Sequence, residues 1–214
     1  MSLLLSTAYF PLLDYFAAIA SQATLAGNIT PASIVLEAHE HYCKQSWRNR
    51  CALLTASGKE NLMVPIVHSQ HHIPIRELKV DYSTPWLRVH QTAISSAYGH
   101  SAFFEHYKDE IFSILDSRTA FLFDLNLQLL EFLLSAIHLP YTLSFTDSYQ
   151  AEYPELWDLR TELSPKKAPL FECEKPYYQV FSEKFPFTDH LSILDLLFNE
   201  GPDSLTVLAR MKKR

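Results

Sequence analysis

Twelve consecutive residues, His39-Glu40-His41-Tyr42-Cys43-Lys44-Gln45-Ser46-Trp47-Arg48-Asn49-Arg50, form the densest set of side chains here that can do chemistry. Arg48 and Arg50 each carry a planar fork that fits a carboxylate or phosphate, and Lys44 adds a compact charge. Asn49, between the arginines, can fix an amide or a hydroxyl. The plainer alternative is a solvated loop with one arginine tied to an acidic neighbour. Trp47, embedded in the run, favours a binding surface, because an exposed indole is unusual without a partner. His39 and His41 stand two apart and share a side if the segment is extended. His39 is the candidate acid or base of the pair, with an imidazole that titrates near neutral pH. The two can also ligate a metal if His90 or the His68, His71 and His72 group supplies a third ligand. An HxH pair arises readily by chance among ten histidines, so no metal site is assigned.

A second set is spaced for a helix. Trp86 and His90 are four apart and share a face, and Tyr98 lies two turns beyond His90. Tyr82 precedes the helix start, where backbone N–H groups favour anions. His90 is a candidate general base beside the aromatic rings of Tyr82, Trp86 and Tyr98; its commoner fate is a satisfied core histidine. Ser95 and Ser96 lack the strand–turn–helix context of a nucleophilic serine. No glycine-rich phosphate loop occurs in a chain with only four glycines.

The elements that must position these residues follow from apolar periodicity. Leu3–Thr7 and Ile34-Val35-Leu36 are runs suited to buried strands. Cys51–Thr55 and Leu62–Val67 flank Ala56-Ser57-Gly58-Lys59, a hairpin signal. Leu78 and Val80 alternate with Lys79 and Asp81, as in a strand with one wet face. Pro11 opens a helix with Leu12, Phe16 and Ile19 on one side, and Thr84-Pro85 opens another that runs to Tyr98. Phe104 to Leu115 and Leu122 to Leu133 keep helical spacing, and Tyr141–Thr146 can return to the sheet. From Asp147 to Phe187, five prolines (154, 165, 169, 176 and 186) punctuate aromatic and polar stretches. That composition predicts an ordered irregular excursion over 147–187, or a lid. A helix from His190 to Asn199 stops at Gly201-Pro202, and Asp203–Arg210 forms the last one. The sum is one α/β domain over 1–214, with a mixed α+β arrangement as the alternative. One small sheet, including a hairpin near 51–67, is packed by central helices, and the C-terminal third is irregular.

Composition narrows the partners. The apolar fraction is 48% and the net charge −6, ordinary for a globular chain. The one basic run, Lys212-Lys213-Arg214, is no stripe for phosphate backbones, so nucleic acid is not an expected partner. Three cysteines without CxxC spacing read as free thiols in a reducing compartment, which points to the cytoplasm. No stretch reaches the roughly 18 apolar residues that span a membrane. An anionic small molecule is the expected partner; cofactor and oligomeric state are not specified by any motif.

Read in order, four stretches resemble the WbqC-like protein family: Tyr9-Phe10-Pro11-Leu12-Leu13-Asp14-Tyr15-Phe16; Lys44-Gln45-Ser46-Trp47-Arg48-Asn49-Arg50; Val64-Pro65 and Val80-Asp81-Tyr82-Ser83 with Trp86 and His90; and Ala97-Tyr98 with Phe103-Phe104, Tyr107 and Asp124-Leu125-Asn126. The resemblance reaches to about Tyr149 and brings Tyr9 into the candidate substrate-binding set with Lys44, Trp47, Arg48, Asn49, Arg50, Tyr82, Trp86 and Tyr98. It implies a place among bacterial surface-polysaccharide (O-antigen) genes and transfer of an amino acid, glycine in particular, onto a sugar. Relatives tend to carry a His-Gln-Pro-like start where this chain has Ser6-Thr7-Ala8, and often lack His39 and His41. The leading expectation is therefore an acyl or aminoacyl transferase acting on a nucleotide sugar or surface-glycan precursor, with His90 or His39 as base. A binding or scaffold protein without catalysis is the alternative, and a metal-dependent hydrolase using His39 and His41 comes third.

Overall fold

The computed structural model describes residues 1–23, 29–67 and 73–214. Along the chain the strands are β1 (Leu3–Ser6), β2 (Ala32–Glu37), β3 (Arg50–Thr55), β4 (Gly58–Met63), β5 (Tyr141–Phe145), β6 (Trp157–Asp158), β7 (Phe171–Glu172) and β8 (Lys212–Lys213). The α-helices are α1 (Leu13–Ala23), α2 (Trp86–Tyr98), α3 (Phe104–Asp116), α4 (Leu122–Ala136), α5 (Ile193–Glu200) and α6 (Ser204–Arg210). Among the described residues no helix is long and apolar enough to cross a membrane.

Leu3, Leu4 and Leu5 are fully buried, as a strand covered on both faces requires. At about 1.5–3 kcal/mol per buried leucine, this run alone contributes several kcal/mol. It sits inside a four-stranded sheet of order β5-β2-β1-β6 in which every pairing is parallel. α1 connects β1 to β2 and is buried from Leu13 through Ala20, because it packs against the sheet on one side and α5 and α6 on others. The order has a consequence for function. β2 and then β5 add on one side of β1, whereas β6 adds on the other. The direction of winding therefore reverses beside β1, and in open parallel sheets that reversal leaves a crevice at the carboxyl edge.

The expected hairpin is β3 and β4, an antiparallel ladder of its own beside the parallel sheet. Its second strand starts at Gly58 and ends at Met63, where Leu62–Val67 was expected, because Thr55 already pairs with Gly58. Ala56 and Ser57 make the turn, and Gly58 takes φ +109, a value few other residues adopt. The strand expected at Leu78–Val80 is reduced to single bridges, Ile66 with Val80 and Lys79 with Phe121. α4 and α2 follow the leucine and aromatic periodicity, with Leu122, Leu125, Leu129 and Leu133 all buried.

The irregular C-terminal third is ordered by specific ties. Residues 157–158 enter the sheet as β6, and β7 pairs with β8 at the end of the chain. The basic tail is accordingly held down: Lys212 reaches Glu174 at 2.7 Å and Lys213 lies over the Trp157 ring. Deeper in, Tyr177 and Gln179 donate to Asp195 of α5 at 2.6 and 2.7 Å. That carboxylate is 1% exposed, so its two donors anchor the whole segment to the core.

Candidate functional site

Where β1 and β6 part, their carboxyl ends open a narrow crevice. Ser6, Thr7 and Ala8 continue β1, Trp47 and Arg48 come from a short 3-10 turn, and Leu159, Arg160 and Leu163 follow β6. Leu12, just before α1, and Tyr15 of α1 close the back. The crevice is partly open, with about 20 Å³ of space at its base, room for about one water or one ligand oxygen. The backbone beside it is strained: Phe10 is fully buried at φ +41 and directly precedes Pro11. This turn back brings the Tyr9 N–H onto the Trp47 carbonyl at 3.0 Å, tying the β1 end to the 3-10 turn.

Two buried arginine–carboxylate pairs flank the crevice. Arg48 donates through Nε to Glu40 Oε1 at 2.8 Å and through Nη2 to Glu40 Oε2 and to Ser6 Oγ. Ser6 in turn donates to Glu40 Oε2 at 3.0 Å. On the other wall, Arg160 donates to both oxygens of Asp158, to Glu37 Oε2 at 2.8 Å and to the carbonyls of Gln150 and Ala151. Glu37 is fully buried and also accepts from Thr146 and from the His39 backbone. Every N–H of Arg160 is thus engaged. Arg48 differs: its Nη1 has no hydrogen-bond partner among the described residues. Trp47, on the same wall, is buried rather than exposed as its place in the polar run suggested, and its indole N–H has no hydrogen-bond partner among the described residues. Together they leave donors suited to an anionic or carbonyl oxygen.

The twelve-residue run is therefore split by its own turn. Trp47 and Arg48 face the crevice, while Lys44, Asn49 and Arg50 line a separate groove with Met63–Ile66. Asn49 is 2% exposed and structural in its contacts: Nδ2 donates to the Val64 carbonyl and Oδ1 accepts from Tyr42. His39 is exposed just past the carboxyl end of β2, between the buried Glu37 and Glu40. His68, His71 and His72 lie outside the described residues. Among the described residues no three His, Cys, Asp or Glu side chains gather around a point that could hold a metal.

The helix-borne set forms a different cluster. Tyr82 stacks on Trp86 with centroids 5.6 Å apart, Trp86 meets His90 edge-on at 4.9 Å, and His90 Nδ1 pairs with the Tyr9 hydroxyl at 2.8 Å. The shared face read from the four-residue spacing is real, but it points into the core, with Trp86 and His90 at 5% and 3% exposure. Tyr98, on the same helix, packs on Phe198 at 5.3 Å and lies away from this ladder. Neither His90 nor these rings line the crevice.

Burial sets two opposing pH dependences. It pushes the His90 pKa down to about 4 and the Asp195 pKa up to about 6. Folded His90 releases its proton more readily than the unfolded residue, so its share of stability is present above about 6.5 and lost as pH falls toward 4. Folded Asp195 holds its proton more tightly, so its share is present below about 4 and lost as pH rises through about 6. Each shift corresponds to about 3 kcal/mol. Relative to wild type, His90→Gln is expected to lose stability as pH rises from 4 to 7 in urea titrations, and Asp195→Asn to gain it. Profiles parallel to wild type in both variants would refute these assignments.

Ser6, Glu37, Glu40 and Arg160 are the site residues that spacing did not single out. Glu40 stood inside the polar run but as a neighbour of histidines; Arg160 sits in the proline-punctuated excursion, where no strand was expected. A parallel sheet packed by helices defines an α/β protein. The chain belongs to the WbqC-like protein family, whose model matches residues 7–164. That span contains every crevice-lining residue except Ser6. No curated protein and no solved structure matches the chain.

Proposed function

We propose that the crevice between β1 and β6 is the substrate site of an acyl or aminoacyl transferase, of glycine type, acting on a nucleotide sugar or another surface-glycan precursor. One observation carries this reading: the crevice lies at the carboxyl edge beside the strand-order reversal, with the open corner of Arg48 on its wall. An open guanidinium corner next to an unpartnered indole N–H suits the carboxylate or carbonyl oxygens of a small acyl group. In the reaction a sugar amine attacks the carbonyl of an activated ester or thioester donor. A C–N bond forms, the C–O or C–S bond breaks with its electron pair on the leaving group, and the amine gives one proton to a base. His39 is the base in this reading, since it is exposed at the same sheet edge and an imidazole nitrogen can accept a proton. His90, neutral and bonded to Tyr9, serves packing. Free Cys43, Cys51 and Cys173 support a cytoplasmic setting.

A second reading, binding without turnover, draws on the crevice walls themselves. The Ser6 hydroxyl is committed to Glu40 and Arg48, and His39 does not line the cavity. A thermal-shift panel of nucleotide sugars, acyl-CoA and aminoacyl donors, followed by product assay on each stabilising pair, separates the two. A true ligand at a hundredfold excess over its Kd should add about 3 kcal/mol. Stabilisation with amide product supports the transferase; stabilisation alone supports the binding protein; neither effect across the panel overturns both.

A further inference from the structure

The groove on the other side of the 3-10 turn shares no lining residue with the crevice. Tyr42, Lys44, Gln45, Asn49 and Arg50 form one wall and Met63–Ile66 the other, enclosing about 460 Å³. Asn49 stitches the two walls together, because its side chain donates to the Val64 carbonyl while its own carbonyl accepts the Val64 N–H at 2.8 Å. The shape is thus built into the backbone and does not depend on a loose loop.

Its charge is the unusual feature. The lining holds two cations, Lys44 and Arg50, and no carboxylate, in a chain of net charge −6. Among the described residues neither cation enters a salt bridge, whereas Arg48 and Arg160 are both neutralised by buried acids. Arg50 Nε is also buried without a hydrogen-bond partner among the described residues. A lone carboxylate is satisfied by one arginine fork; two cations on separate elements suit an anion with more charge and more oxygens. The opposite wall, Val64-Pro65-Ile66 with Met63, is apolar and fits a ring or sugar carried by that anion.

We infer that this groove is a second anion site, which binds the phosphoryl or pyrophosphoryl group of a nucleotide-sized ligand. Its place in catalysis rests on the transferase reading, with the crevice taking the small acyl portion; binding itself does not. Each contact is a charge-assisted hydrogen bond at a partly open surface, so affinity falls as salt screens it.

Calorimetric titration of the full chain with inorganic pyrophosphate, and separately with uridine diphosphate, tests this. Both are expected to bind in the micromolar to millimolar range, and Lys44→Met and Arg50→Met to weaken each by about tenfold or more. Arg48→Lys, which alters only the crevice, should change neither Kd by more than about twofold. Lys44 is exposed, so Lys44→Met keeps the test decisive even if Arg50→Met fails to fold. Unchanged affinity in Lys44→Met, loss of binding in Arg48→Lys, or no binding of either probe overturns the inference. Groove binding without any amide product would leave this site standing while the transferase reading fails.

Discussion

Arg160→Met is expected to cost about 3–5 kcal/mol of folding stability. The arginine is 7% exposed and holds Glu37, fully buried on β2, together with Asp158 on β6. It also caps the carbonyls of Gln150 and Ala151 and lies against the rings of Tyr149 and Tyr153 at 5.5 and 4.9 Å. Methionine keeps much of the stem but leaves one Glu37 oxygen without a donor. An uncompensated buried charge is what makes half of such a pair so costly to remove. β6 pairs with β1 over only Leu3 and Leu4, so it has little else to hold it. Urea unfolding should show the loss, and hydrogen exchange should show residues 147–163 opening first. Adding Glu37→Leu to Arg160→Met should recover part of the stability. A variant within 1 kcal/mol of wild type would mean the clamp is energetically idle.

The matching change on the opposite wall has a second readout. Arg48→Met should destabilise by about 3 kcal/mol, because Glu40 at 5% exposure keeps only the Ser6 hydroxyl as donor. Glu40→Gln placed on top should return part of that loss. Arg48→Lys retains the charge without the two-pronged geometry, so it should cost less stability yet still abolish stabilisation by any crevice ligand. Equal stability of all three variants, or unchanged ligand response in Arg48→Lys, would exclude Arg48 as both clamp and anchor.

Local elements were legible because local physics makes them. Leu3–Thr7 and Ile34–Leu36 were suited to buried strands, and Thr84-Pro85 marked the start of α2. The antiparallel hairpin was legible from Gly58. The order of the parallel strands was not, because parallel pairing is decided by contacts far apart in the chain. Arg160 and Glu37 meet across 123 residues, and β6 is two residues long with no pattern of its own. For the same reason the Lys44–Arg50 block could be found but not divided: composition marks its side chains as suited to anions, while a single 3-10 turn decides which face each one takes. The pair Trp86 and His90 shows the complementary gap. Spacing placed both on one face, and only packing reveals that this face is turned inward, onto Tyr9.

The most direct test of a carboxyl-edge site is a hydrogen-exchange footprint of the chain with and without the compound that stabilises it most in the ligand panel. Protection is expected in residues 6–12, 47–48 and 159–163, the three segments that wall the crevice. Protection confined to 82–98, around the buried Trp86–His90 ladder, would contradict the assignment and return the function to the helix.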